Sequence, residues 1–392
     1  MPFFFGSGGN SVTVALENCI CRDGSVLTGH AYVDIVTPTE FSGVFLKIKG
    51  KEKTKVIEHQ TRYRTRTETV NGTTQTRTES YTVEVPHYGK RQIFKTIALL
   101  LPGGQMMRGQ FSIPFTFQLP VGIPGSFALV GSDFSCSVEY ATKVVVRVPG
   151  MLKSDLRHEV PLVVIQPPPP FTNQVTAHAT ADITVMCCFR RGHADLSFRA
   201  AKDAFHVGEF VVLSADVNNN SKSKLSRIAV KLRRTITVRA NDGFTRSFED
   251  TISESRYPGV PAFSSMNGLS MTLKIPDGTP QQCFSTLIQC MYSVRLAGKV
   301  RWGTDATCTV PALIYYPFMQ SPVIPTFPAV WQPEIFQPIH LQLYSPVMIP
   351  PPVSLDMYPE SSTMQPTAPP HEQSDDSMIP VQQSQAMNGA SQ

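Results

Sequence analysis

Long apolar runs, tryptophan and catalytic signatures are what this chain lacks. Its 392 residues include two Trp, with 9% aromatic and 17% charged residues. No apolar run approaches the ~18–20 residues that span a bilayer as a helix. The opening Phe3-Phe4-Phe5 is too short, with no charge before it, for a secretory signal, so a cytosolic chain is expected. No disulfide scaffold is expected from the eight cysteines, because Cys19/Cys21 and Cys187/Cys188 are too close to staple loops and the rest are scattered. There is no Gly-x-Ser-x-Gly elbow, no His-Glu-x-x-His, no phosphate-binding Gly-x-x-x-x-Gly-Lys loop and no Cys-x-x-Cys pair. The nine histidines do not cluster, and Gly6-Ser7-Gly8-Gly9 precedes a strand pattern instead of a helix. Neither an enzyme nor a metal or cofactor site is expected. A net charge of +5 is mild for this length, so any basic surface must be local.

What the chain does have is proline and alternation. Apolar residues recur every second position in Val12/Val14/Leu16, Val44/Leu46/Ile48, Ile113/Phe115/Phe117/Leu119 and Phe134/Cys136/Val138/Tyr140. The pattern returns in Val211/Leu213/Ala215/Val217, Ile228/Val230/Leu232, Leu269/Met271/Leu273/Ile275 and Ile288/Cys290/Tyr292/Val294/Leu296. Period two places alternate side chains on one face of a strand, and turn formers separate the runs, so antiparallel sandwiches are predicted. Of the 33 prolines, fourteen fall in the last 72 residues, which read as a disordered tail over 319–392. Pro167-Pro168-Pro169-Pro170 can join no ladder and marks a linker over 166–177. It divides a body of two halves, 11–165 and 178–318, preceded by a flexible leader, 1–10.

The halves are related. Leu119-Pro-Val-Gly-Ile-Pro124 precedes a strand bearing Tyr140, and Ile275-Pro-Asp-Gly-Thr-Pro280 precedes one bearing Tyr292. From the Gly that enters an earlier strand to the first Pro is 91 residues in the first half (Gly29 to Pro120) and 68 in the second (Gly208 to Pro276). The excess matches a polar insertion at 61–83 centred on Asn71-Gly72, the strongest short hairpin signal. Pairing about that turn sets Val70 opposite Thr73 and Arg64 opposite Glu79. Both faces are then polar, so the ribbon is expected to project into solvent.

Lys47, Lys49, Lys51, Lys53 and Lys55 alternate immediately before this ribbon, and Arg62, Arg64 and Arg66 follow. On a strand the lysines share one face. Such a ridge suits acidic lipid headgroups or an acidic or phosphorylated peptide; it also suits a plain solvated face. Nucleic acid is not expected, because no aromatic platform accompanies the charges. Asn71-Gly-Thr73 and Asn219-Asn-Ser221 match the glycosylation pattern, a signal that an extracellular adhesion module would use. Cys187-Cys188 suits packing, with acylation or metal as alternatives. In the tail, Tyr344-Ser-Pro-Val347 has the tyrosine-based form that clathrin adaptors read. Pro350-Pro351-Pro352 favours polyproline II for docking in an aromatic groove, and Ser374-Asp-Asp-Ser377 is a candidate phosphosite.

In order along the chain, Gly29-His-Ala-Tyr-Val33, Val44-Phe-Leu-Lys-Ile-Lys-Gly50, Phe111-Ser-Ile-Pro-Phe-Thr-Phe-Gln-Leu-Pro120, Pro124-Gly-Ser-Phe127 and Val138-Glu-Tyr140 resemble the arrestin superfamily, most closely the alpha-arrestins. The second half continues with Cys187-Cys188, Phe205-His-Val-Gly-Glu209, Val217-Asn-Asn-Asn-Ser221 and Val230-Lys-Leu-Arg-Arg234. The resemblance covers about residues 11–318. It implies two immunoglobulin-like sandwiches and a non-enzymatic adaptor that couples membrane-protein cargo to trafficking or ubiquitin-ligase machinery, at the cytoplasmic side of plasma membrane and endosomes. A structural subunit of a retromer-like coat is the alternative. Alpha-arrestin tails carry Pro-Pro-x-Tyr; here Ser354 follows Pro351-Pro352-Val353 where Tyr would stand. The first strand, Ser11 to Asn18, lacks the lysines that visual and beta-arrestins place there for phosphate sensing.

Overall fold

Residues 9–70, 73–150, 153–166, 170, 173–186, 189–316, 334–335 and 339–341 are described by a computed structural model, without the side chains of 68–70, 73–75, 334–335 and 339–341. The strands of the first half are β1 (Ser11–Leu16), β2 (Ile20–Arg22), β3 (Val26–Ile35), β4 (Thr39–Val70), β5 (Thr73–Met106), β6 (Gly109–Gln118), β7 (Phe127–Val130), β8 (Phe134–Arg147) and β9 (Leu156–Ile165). One sheet runs β1-β3-β6 and the other β2-β9-β8-β4-β5, with β7 on β8. The alternating positions explain the pairing. Phe115 and Phe117 of β6, Leu46 and Ile48 of β4, and Val144 and Val146 of β8 are all buried in one core. Each such side chain contributes roughly 1.5–3 kcal/mol.

The second half repeats the plan with β10 (Asn173–Val185), β11 (Phe189–Lys202), β12 (Ala204–His206), β13 (Phe210–Ser221), β14 (Leu225–Arg239), β15 (Thr245–Val260), β16 (Ser264–Lys274), β17 (Cys283–Phe284), β18 (Ile288–Val300) and β19 (Ala306–Tyr315). Its sheets are β10-β11-β13-β16 and β12-β19-β18-β14-β15, with β17 on β18. The expected all-β, two-sandwich class is what forms, and among the described residues there is no helix. Two short strands follow, β20 (Glu334–Ile335) and β21 (Ile339–Leu341), which lie parallel to β6 at Phe111–Ser112 and Phe115–Phe117. Composition gives no sign of them, because a sheet edge elsewhere in the chain supplies their hydrogen bonds. Of the expected linker, 167–169 and 171–172 lie outside the described residues, and 173–177 are not linker but the start of β10, where Asn173 already pairs with Lys202. Cys187-Cys188, Ser374, Ser377 and the rest of the expected tail also lie outside the described residues.

The paired Pro motifs have a physical cause. Tyr140 donates its hydroxyl hydrogen bond to the carbonyl oxygen of Pro124 (2.6 Å), and Tyr292 donates to that of Pro280 (2.8 Å). In each sandwich the second proline of the motif therefore accepts from the tyrosine of the strand that follows. Burial pushes both phenol pKa values up, so both stay donors across the physiological range. Beneath Tyr140 lies Gly50, where a Cβ would come within 2.7 Å of the ring carbon Cδ1; only glycine leaves room for the ring. Tyr140→Phe and Tyr292→Phe should each lower stability by ~1 kcal/mol, read as a shift of the urea midpoint at unchanged slope.

Candidate functional site

In β4 the even positions turn inward and the odd ones outward. Leu46, Ile48 and Val56 are buried, while Lys47, Lys49, Lys51, Lys53 and Lys55 all lie on the outer face, in one row. Two carboxylates lace its centre. Glu159 accepts from Lys49 (2.8 Å) and Lys143 (3.5 Å), and Glu139 from Lys51 (3.0 Å) and Lys53 (3.3 Å). Exposed pairs of this kind are worth ~0–1 kcal/mol each, so their main effect is to cancel charge. The end of the row is different. Lys47 stands opposite Lys143 in the ladder, Lys49 opposite Lys95, and Arg147 rests over the Phe45 ring (4.8 Å).

Arg62, Arg64 and Arg66 do not extend this ridge. They sit at even positions of the same uninterrupted strand, so they fall on the opposite face. Nearness in sequence to the lysines does not bring them onto the lysine face, because parity along the strand decides it. The ribbon itself has the expected register, with Arg64 opposite Glu79 and Val70 opposite Thr73, and its described side chains are exposed at 61–67 and 76–82. Tyr344, Val347, Pro350, Pro351 and Pro352 lie outside the described residues.

Periodicity gave no sign of the polar seam between the sandwiches. Past Gly50, the inward positions of β4 become Glu52 and Thr54, which face the second sandwich. The amide of Leu287 donates to Glu52 Oε2 (3.1 Å), and Thr54 donates to the carbonyl of Arg239 (2.6 Å). The Asn241-Asp242-Gly243 turn between β14 and β15 docks on β5. There the Asn241 amide donates to Tyr88 O (3.0 Å), and the Asn241 side chain exchanges hydrogen bonds with the backbone of Lys90 (3.1 and 3.2 Å). Gln281 Nε2 donates to Ser126 O (3.1 Å), and Phe134 packs on Phe248 with ring centroids 4.4 Å apart. One signal was legible: Glu52 falls at an inward position of a strand whose other inward positions include Leu46, Ile48 and Val56, and a buried carboxylate calls for a partner.

His87 closes the seam at its rim. Its Nδ1 lies 2.6 Å from Asp242 Oδ2 and its Nε2 3.2 Å from Glu58 Oε2, and its ring stacks on Phe244 at 4.1 Å. Beside it, Arg246 and His59 both face Asp133 (3.3 Å each), and Arg246 donates to Ile57 O (2.8 Å). Both ring nitrogens of His87 meet carboxylates, so the arrangement is complete only when both carry protons. The hydrogen bond to Asp242, opposed by desolvation and aided by Glu58, raises the His87 pKa above 6.5. Asp242 and Glu58 are held below their ordinary values, Asp242 chiefly by its bond to His87 and Glu58 chiefly by Gln60 and then His87. A raised histidine pKa stabilises the native state fully below about 6.5, and that contribution fades as pH rises through the folded value. The lower bound is set by protonation of the two carboxylates. Thermal unfolding between pH 5.5 and 8.5 should show this decline, and His87→Gln should remove it.

Comparison with known proteins fits this architecture. Residues 12–168 match the family described as Arrestin (or S-antigen), N-terminal domain, and residues 190–318 match Arrestin (or S-antigen), C-terminal domain. The chain belongs to the arrestin superfamily. Within that superfamily it is alpha-arrestin-like: it is 24% identical over 327 residues to arrestin domain-containing protein A of Dictyostelium discoideum. The match takes in 82% of this chain and 54% of that protein, so the chain spans about half the length of its curated relative. In this arrestin the seam joins the two matched domains, and the lysine face belongs wholly to the first.

Proposed function

We propose that this arrestin-like chain is a non-enzymatic adaptor in membrane-protein trafficking. It binds cargo tails at the cytoplasmic face of the plasma membrane and endosomes and recruits sorting machinery. The observation that carries the reading is the joining of two complete arrestin sandwiches by a hydrogen-bonded seam. That arrangement joins the two domains in one body with a cationic outer face and an exposed ribbon, the form of a scaffold that presents surfaces. Tyr344 and Val347, or the Pro350–Pro352 run, would supply the recruiting contacts. A ubiquitin-ligase link by way of Pro-Pro-x-Tyr has no counterpart in the sequence. Proximity labelling in the source cell, paired with a truncation after Leu341 that keeps both strands on β6, tests the reading. Membrane proteins and sorting factors should be labelled by the full chain, with the sorting factors lost on truncation. Stoichiometric recovery in one stable complex would favour the coat-subunit alternative instead, and labelling of neither class would sink the adaptor.

A further inference from the structure

The outer face of the first sandwich carries its charge unevenly. Lys47, Lys95, Lys143, Arg147 and Arg157 gather at one end across β5, β4, β8 and β9, a width of about 14 Å at the usual strand spacing. Two carboxylates reach into this group. Glu159 is shared between Lys49 and Lys143, and Asp155 binds Arg157 (3.1 Å) while accepting from the Val148 amide. Among the described residues no carboxylate pairs with Lys47 or Lys95. Partial burial, and then the nearness of Arg147, Lys143, Lys95 and Arg157, lowers the Lys47 pKa. Alongside, on β5 at the sheet's edge, Ile97 and Leu99 stand 50% and 49% exposed. They lie opposite Lys47 and Phe45 in the ladder, so they point to the same side as the cations.

We infer that this end of the lysine face is a docking site for a membrane lipid headgroup bearing clustered phosphates, with Ile97 and Leu99 entering the interfacial layer beside it. The inference rests on the adaptor reading and adds to it the surface that meets the membrane. Five cations on four adjacent strands, answered by two carboxylates, favour a ligand with several negative charges over a singly charged one. A cationic sheet face with two exposed apolar side chains at its rim suits the charged and interfacial layers of a bilayer together. The middle of the ridge, Lys49 to Lys53, contributes less because Glu139 and Glu159 already neutralise it.

Co-sedimentation of the full chain with vesicles tests this. The vesicles are phosphatidylcholine alone, or phosphatidylcholine with either phosphatidylserine or phosphatidylinositol bisphosphate at matched total charge. Binding should be tightest to the bisphosphate vesicles. Lys95→Glu with Arg157→Glu should weaken it by at least ~10-fold, whereas Lys55→Glu with Lys90→Glu, the same charge change at the far end of the face, should weaken it less than ~3-fold. Ile97→Ser with Leu99→Ser should weaken vesicle binding several-fold and leave binding of soluble inositol trisphosphate unchanged. Circular dichroism checks folding, and Lys95→Gln with Arg157→Gln replaces the reversal should that variant not fold. Equal losses from the two charge reversals would show a diffuse electrostatic surface and overturn the site, as would capture of a phosphorylated peptide without vesicles. Cargo labelling separates the two readings: lost vesicle binding with cargo retained in the unmodified chain would refute only this site, whereas vesicle binding without cargo would refute only the adaptor.

Discussion

Replacing Gly89 by alanine is expected to part the two sandwiches while leaving each one folded. Gly89 lies in β5 where the first sandwich meets the second. A Cβ there would stand 2.8 Å from the carbonyl oxygen of Arg239 and 3.1 Å from Leu287 Cδ1, and inside contact distance of Thr54 Oγ1. Gly89 is not among the residues with positive φ, so alanine meets no conformational penalty at that position. The whole effect falls on the seam. Overpacking costs ~1–3 kcal/mol, and moving Thr54 forfeits its bond to Arg239 O, worth ~1 kcal/mol, giving about 2–4 kcal/mol against closure. Small-angle scattering should show a larger radius of gyration, and hydrogen exchange should quicken at the Asn241 amide with the sandwich cores still protected. Loss of protection in either core would mean that the sandwiches cannot stand apart.

Much of this body was legible because its code is local. Leu46, Ile48 and their lysine neighbours announce one strand with one buried face, and Asn71-Gly72 fixes the ribbon's register without any knowledge of the rest. The repeat of Pro124 with Tyr140 and of Pro280 with Tyr292 was visible as spacing, although not as the hydrogen bond that explains it. What stayed hidden depends on residues far apart in sequence. Glu52 and Leu287 are separated by 235 positions, and His87 and Asp242 by 155. No window along the chain contains both partners. The parallel addition of Ile339–Leu341 to β6 is hidden for the same reason. The arginines 62, 64 and 66 are a different case, since parity alone places them away from the lysines.

Glu52→Ala should be the most damaging substitution that removes a charge. Glu52 is fully buried, Arg91 Nη1 lies 3.5 Å from its Oε1, and Leu287 donates its amide to Oε2. Alanine removes the acceptor, leaving a buried amide unsatisfied and the guanidinium without the Glu52 carboxylate, and it opens a small cavity. The expected loss is about 3 kcal/mol. Arg91 is partly exposed and can turn to water, which keeps this at the lower end for a broken buried pair. Glu52→Gln keeps an acceptor for Leu287 and gives up only the charge, so about half that loss is expected. Arg91→Ala leaves a buried carboxylate held by one amide. A cycle through Glu52→Gln and Arg91→Ala isolates the ionic part from the backbone bond. Should Glu52→Gln cost as much as Glu52→Ala, the charge on Glu52 carries the seam; should it cost nothing, the Leu287 bond does, and the carboxylate could be replaced by any acceptor of the same reach.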